Sequence, residues 1–208
     1  MTPLENPKVR AGVCLDCHFG SAAQGQFVNH RIMAAGHPRI SFELDLFSSL
    51  QQHHDEDADY VARTRRSDNV QLWAVGQALA LKRSLDLYAS ASRGTEGVFP
   101  EFYFFDCHSC HRRIYDQADA VKTGANNPGR PIPEGMPPYN DENMIMLSAA
   151  ARVTAPDSAG EFDKASREFH AALALDRTMA IAAARRLSIA ADNLADDFAS
   201  GSFGSSQA

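Results

Sequence analysis

Two short segments hold every cysteine of this chain, and both read Cys-x-x-Cys-His. They are Cys14-Leu15-Asp16-Cys17-His18 and Cys107-His108-Ser109-Cys110-His111. With 4 Cys and 8 His among 208 residues, about 0.003 such segments are expected by chance. Two thiols at this spacing can each form a thioether to one vinyl group of a haem. The adjacent imidazole then reaches the iron as proximal ligand. A redox dithiol needs the Cys pair but not the following His, and a disulfide framework does not need the repeated spacing. The strongest rival is a zinc site built from two Cys-x-x-Cys knuckles. Such knuckles usually lie about 15–20 residues apart, whereas here residues 18 to 106 intervene.

Composition narrows the remaining classes. Lys plus Arg number 20 against 26 Asp plus Glu, a net charge of -6, which disfavours nucleic acid as a partner because that binding needs a dense basic surface. No apolar run approaches the roughly 18 residues of a membrane span. Covalent haem implies a periplasmic or otherwise exported location. The start, Met1-Thr2-Pro3-Leu4-Glu5-Asn6-Pro7, has no signal-peptide pattern. The first motif therefore reads as part of a mature form or of something longer.

Periodicity gives a coarse organisation. Residues 1–122 read as the haem-binding region with both motifs, irregular over 1–40. Ser41 is a plausible N-cap for a helix to about residue 54, with Phe42, Leu46, Phe47 and Leu50 as its apolar stripe. A widely buried helix is expected over about 69–91. The run Phe102-Tyr103-Phe104-Phe105 leads into the second motif, either as plain core or as an apolar wall against a porphyrin. Residues 123–141 are a Pro/Gly-rich loop. Residues 142–200 read as a C-terminal helical hairpin packing on the haem region. In it, Ser158-x-x-Glu161 resembles a capping box, and Phe162, Phe169, Leu173, Ala180, Leu187 and Leu194 form an apolar seam. Residues 201–208 are a flexible tail.

His18 and His111 are the proximal ligands if haem is attached, and a low-spin carrier needs a sixth ligand on each iron. His30 and His37 lie in a local stretch after the first motif, with Met33 between them. His53 and His54 follow the stripe of the 41–54 helix, and periodicity does not choose between them. His108 sits between the motif cysteines, where its reach to the same iron is poor. His170 fits a surface or rim role, and Met179 fits core filler. Bis-His ligation, hence low potential, is favoured over His/Met. Glu43 and Asp106 suit partners of ligands better than catalysts.

The flanks of the motifs add a resemblance. Ala35-Gly36-His37-Pro38-Arg39-Ile40-Ser41-Phe42-Glu43-Leu44, Leu72-Trp73-Ala74-Val75-Gly76-Gln77-Ala78, Phe99-Pro100-Glu101, Phe105-Asp106 before the second motif, and Asn140-Asp141-Glu142-Asn143 together resemble multihaem c-type cytochromes. They are similar to the tetrahaem electron acceptors of hydroxylamine oxidoreductase. The resemblance covers roughly residues 8–150. It implies a mainly α protein, with a haem-centred multihaem cytochrome c fold, that carries electrons through mostly bis-His haems. By the same analogy His37 and His53 are the better distal ligands, with His30 next. Members of that family usually carry further haem motifs upstream and an export signal, and this sequence shows neither.

The expectation is a dihaem c-type cytochrome, protein or domain, that is an electron carrier rather than an enzyme. Two haem c groups are attached through Cys14, Cys17, Cys107 and Cys110. His18 and His111 are proximal, and His37, His53 and His30 are the distal candidates. Its partners would be redox proteins, possibly other multihaem cytochromes. One alternative is a haem domain of an oxidoreductase acting on a small nitrogen or sulfur species. A second is a zinc-stabilised interaction module.

Overall fold

The computed structural model describes residues 2–39, 41–51, 55, 57–63, 68–95, 101–111, 136–201 and 203. These residues form a mainly helical fold. Its elements are α1 (Pro7–His18), α2 (His30–Ala34), α3 (Leu44–Leu50), α4 (Ala58–Arg63), α5 (Asn69–Ala89), α6 (Glu142–Thr154), α7 (Pro156–Leu173) and α8 (Arg177–Ser200), with single 3-10 turns at Phe102–Phe104 and Cys107–Ser109.

The long helix α5 is the centre. Asp68 starts it by accepting the Gln71 N–H at 2.9 Å. Leu72, Ala74, Val75, Ala78, Leu79, Leu81, Leu85 and Tyr88 are all buried, so it is covered on several sides. It packs against α8, α1, α3 and α6. The face of α8 is built largely from small residues, Ala180, Ala183, Ala184, Ala190, Ala191 and Ala195, with Leu187, Leu194 and Phe198 between them. That face permits close helix approach while still burying apolar surface. At one end the Gln71 side-chain amide donates to the carbonyls of Phe198, Ala199 and Gly201 at 2.9, 3.0 and 3.1 Å. It thereby satisfies acceptors that the end of a helix leaves open.

The apolar seam of the C-terminal region belongs to a helix pair, α7 and α8, joined by the turn over 174–176, and α6 packs on α7. Several sequence expectations change. Within the stretch 1–40 expected to be irregular, two helices form, α1, which carries the first motif, and α2. Asn6 caps α1, with Pro7 in the first turn, where a missing N–H costs nothing. The cap of α3 is Glu43 rather than Ser41, and Leu46 and Leu50 are exposed. Ser158-x-x-Glu161 is not a capping box, since α7 already begins at Pro156 and the Ser158 hydroxyl donates to Asp197 instead. His170 is buried beside Asp141, with Nε2 to Oδ2 at 3.6 Å, rather than at a rim. Met179 is exposed rather than core. The 123–141 loop lies outside the described residues except for 136–141, and so does most of the 201–208 tail.

An aromatic cluster links the centre of the fold to the second motif. Phe169 meets Tyr139 and Tyr88 at 4.9 and 5.8 Å between ring centroids. Tyr88 meets Phe104 at 5.6 Å, and Phe104 meets Phe27 at 5.7 Å. The Tyr139 hydroxyl shares a 2.6 Å hydrogen bond with Ser84, and burial pushes its pKa well above the ordinary tyrosine value.

Candidate haem-binding sites

The helix α1 explains how the first motif is displayed. Cys14, Cys17 and His18 stand three and four positions apart, hence on one face, while Ala11 and Leu15 are buried in the core. Cys14 is half-buried and Cys17 exposed, and burial pushes the Cys14 thiol up. The helix stops at Gly20, whose φ of +80° suits a left-handed C-terminal cap. A Cβ there would sit 1.8 Å from the Gln26 carbonyl oxygen, because the chain folds back so that Ser21 N–H donates to Gln26 O at 2.7 Å. Arg83 of α5 fixes this end further by donating to Asp16 at 2.9 Å and to Gly20 O at 2.7 Å.

His18 is oriented from outside its helix. Its Nδ1 lies 3.2 Å from the Ser41 carbonyl oxygen, and an N–H donated there leaves Nε2 with its lone pair, the form a metal requires. The Phe42 and Phe47 rings stand 5.5 and 4.7 Å from the imidazole. Both come from the segment that α5 holds through the tight approach of Gly76 to Leu44.

The second motif lies in a tight turn. Asp106 caps it, accepting the Ser109 hydroxyl at 2.8 Å and the His108 N–H at 3.4 Å. Burial acts to raise the Asp106 carboxyl, but these hydrogen bonds outweigh it and hold the group below its ordinary value. Cys110 N–H and His111 N–H both donate to Cys107 O, at 3.2 and 2.8 Å. The turn is fastened to the strand-like segment before α6 by Asp106 N–H to Pro138 O and Asn140 N–H to Phe104 O, each 2.9 Å.

Beside this turn lies a pocket of about 350 Å³. One wall carries Cys107, Cys110 and His111. His30 and Met33 of α2 face into the same space, and Ala34, Phe102, Phe105 and Pro137 make the rest largely apolar. The rings of His30 and His111 stand 6.2 Å apart between centroids, inclined by 37°. Two imidazoles bound through ring nitrogen to one metal have centroids roughly 6.3 Å apart, given metal–nitrogen bonds of about 2.0 Å. Both thiols, an apolar volume and two imidazoles at a spacing suited to opposite sides of one metal are therefore compatible with a haem. Among the described residues no three His, Cys, Asp or Glu side chains converge closely enough to hold a bare ion.

The structure thus brings His30, Met33, Cys107, Cys110 and His111 together. His37 is not in this group. It is exposed, with Nδ1 2.7 Å from the Pro38 carbonyl oxygen. His53 and His54 lie outside the described residues. His108 is 92% exposed, with its Nδ1 3.7 Å from Asp106. Glu43 caps α3 rather than meeting a candidate ligand. One residue that carried no chemical role in the sequence reading is Glu101, which is buried and accepts the backbone N–H of His30. Its signals in the sequence are its place in the Phe99-Pro100-Glu101 segment and a carboxylate set against an aromatic run.

The chain matches no family model, no curated protein and no solved structure in comparisons with each. Among the described residues no helix is long and apolar enough to cross a membrane.

Proposed function

We propose that this chain is a dihaem c-type cytochrome, a protein or domain that passes electrons between redox partners in an exported compartment. The observation that carries the reading is the second pocket, where the motif's two thiols and proximal imidazole face a second imidazole, His30, across apolar space. Cys14 and Cys17 would attach one haem and Cys107 and Cys110 the other. His18 and His111 would bind the irons, and such a group supplies one-electron redox chemistry when bound. The chain's own contribution is to orient. Ser41 O sets the tautomer of His18, the Asp106 cap shapes the second turn, and Phe102 and Phe105 keep water from the pocket.

The pairing supported here differs from the one the family resemblance favours. His30, rather than His37 or His53, would be the second ligand beside His111, while His37 and His53 stay the candidates for the haem that His18 would bind. Two imidazoles lining the pocket could both bind an iron held there and would leave it no open position, which favours electron transfer over catalysis on a small nitrogen or sulfur species. A largely apolar volume of about 350 Å³, with no three donor side chains converging among the described residues, favours a macrocycle over a zinc ion. Weak, small docking surfaces suit such a carrier, and other multihaem cytochromes are partners of the right kind.

The test is production with c-type maturation machinery, followed by a pyridine haemochrome assay and intact mass. The expected result is two haems per chain, lost pairwise in C14A/C17A and C107A/C110A. A folded, colourless protein with four unmodified sulfurs would overturn the reading.

A further inference from the structure

We propose that Glu101 is the positioning residue that holds His30 over the second haem. It acts through the backbone of the distal ligand and does not touch the iron. The inference rests on the reading above that His30 and His111 share one iron.

His30 opens α2, a helix of 5 residues with no buried residue. A helix so short has little stability of its own. Its cap, Asn29 Oδ1 accepting Ile32 N–H at 3.0 Å, is internal and ties it to nothing else. The connection to the second motif is made by Glu101, which is 1% exposed. Its Oε1 accepts the His30 N–H at 2.7 Å and the Tyr103 N–H at 3.1 Å. Its own N–H reaches Gly94 O at 3.4 Å. The next residue, Phe102, sets its ring 5.3 Å from that of His30. One carboxylate oxygen therefore joins the backbone of the distal ligand to the segment that ends in Cys107 and His111. A charge-assisted bond of this length is among the stronger hydrogen bonds in proteins. Without it, two buried or half-buried N–H groups lose their partner.

The test uses the holoprotein with both haems and two readouts, carbon monoxide binding to the ferrous protein and the high-spin band of the ferric protein. E101A is expected to favour the open second site by about tenfold or more, the scale set by losing a hydrogen bond to a charged group. E101Q keeps an oxygen acceptor at the same reach and is expected to restore closure. In an H30A/M33L background, which removes both donors of α2, E101A is expected to change neither readout further, because its only route to the iron has gone. Where E101A does not fold, E101D decides, since it draws the acceptor back by one methylene and is expected to open the site partially. Two haems per chain with wild-type closure in E101A, or in E101D where that variant decides, overturn this inference alone. A wild-type protein that carries no haem overturns it together with the reading it rests on.

Discussion

Removing His30 is the sharpest perturbation of the second site. On the proposed reading the His30 and His111 rings, 6.2 Å apart, would both bind one iron, so deletion of His30 is expected to open one haem of two. The complication is Met33, which lies one helical turn along α2 and lines the same pocket. Its thioether lines the same pocket as His30 and is a candidate substitute. The informative variant is therefore H30A/M33L, which removes both donors and keeps the apolar wall. It is expected to bind one carbon monoxide per chain when reduced and to show half of its haem as high-spin when oxidised. The other half stays unchanged, because His18 is held by Ser41, Phe42 and Phe47, none of which lines this pocket. H30M supplies a thioether directly and is expected to raise the potential of that one haem by on the order of 0.1 V, a modest part of the roughly 0.8 V that axial ligands span. Optical titration with carbon monoxide and potentiometry with mediators read these outcomes. If both haems of H30A/M33L stay low-spin and inert, His30 does not ligate that iron. If both open, the two sites are not separate.

Three further outcomes follow from the packing and charge. Phe169→Ala empties a fully buried site between Tyr88 and Tyr139 and should cost about 3–5 kcal/mol, read as a lower urea midpoint at unchanged slope. Gly20→Ala places a Cβ 1.8 Å from Gln26 O at a φ of +80°, so it should destabilise by at least the roughly 1–2 kcal/mol of a left-handed residue and lower haem occupancy at Cys14 and Cys17 first, read by peptide mass mapping. At Asp163, burial acts to raise the carboxyl, but hydrogen bonds from Ser148 and Arg152 outweigh it and hold it below the ordinary value of 3.8. A depressed folded value stabilises above the unfolded value and is lost as pH falls through the folded one, so the stability gap between wild type and D163N should be full at pH 6 and shrink below about pH 4. Paired urea melts at the two pH values measure it.

The long helices were legible because their apolar periodicity acts within a few residues. The widely buried 69–91 stretch and the seam from Phe162 to Leu194 declare α5, α7 and α8 locally, whereas both caps read from the sequence, Ser41 and Ser158, were misplaced. The misreadings have local causes too. The helix α1 has a weak apolar pattern, because its exposed face is given over to Cys14, Cys17 and His18 and only Ala11 and Leu15 are buried. Ser158 has the spacing of a capping box, but Pro156 starts the helix earlier, and the hydroxyl finds Asp197 across the α7–α8 interface. His170 lies beside the apolar seam and looks like a rim residue until Asp141 at the start of α6 comes to meet it.

The thiols and proximal imidazoles are equally local, since five consecutive residues contain the whole attachment chemistry. The distal ligand is of another kind. His30 follows the first motif in the chain yet lines the pocket of the second, and its backbone N–H is bonded to Glu101, a carboxylate far from it in sequence. Nothing in the stretch around His30 distinguishes it from His37, whose ring instead turns to its neighbour's carbonyl. What separates the two imidazoles is the position of Glu101 and Phe102 just ahead of the second motif. The placement of His30 beside the second motif is therefore a property of how the N-terminal segment is fastened to residues 101–111. It follows that the distal position should be more sensitive to changes at that junction than to changes within α2 itself.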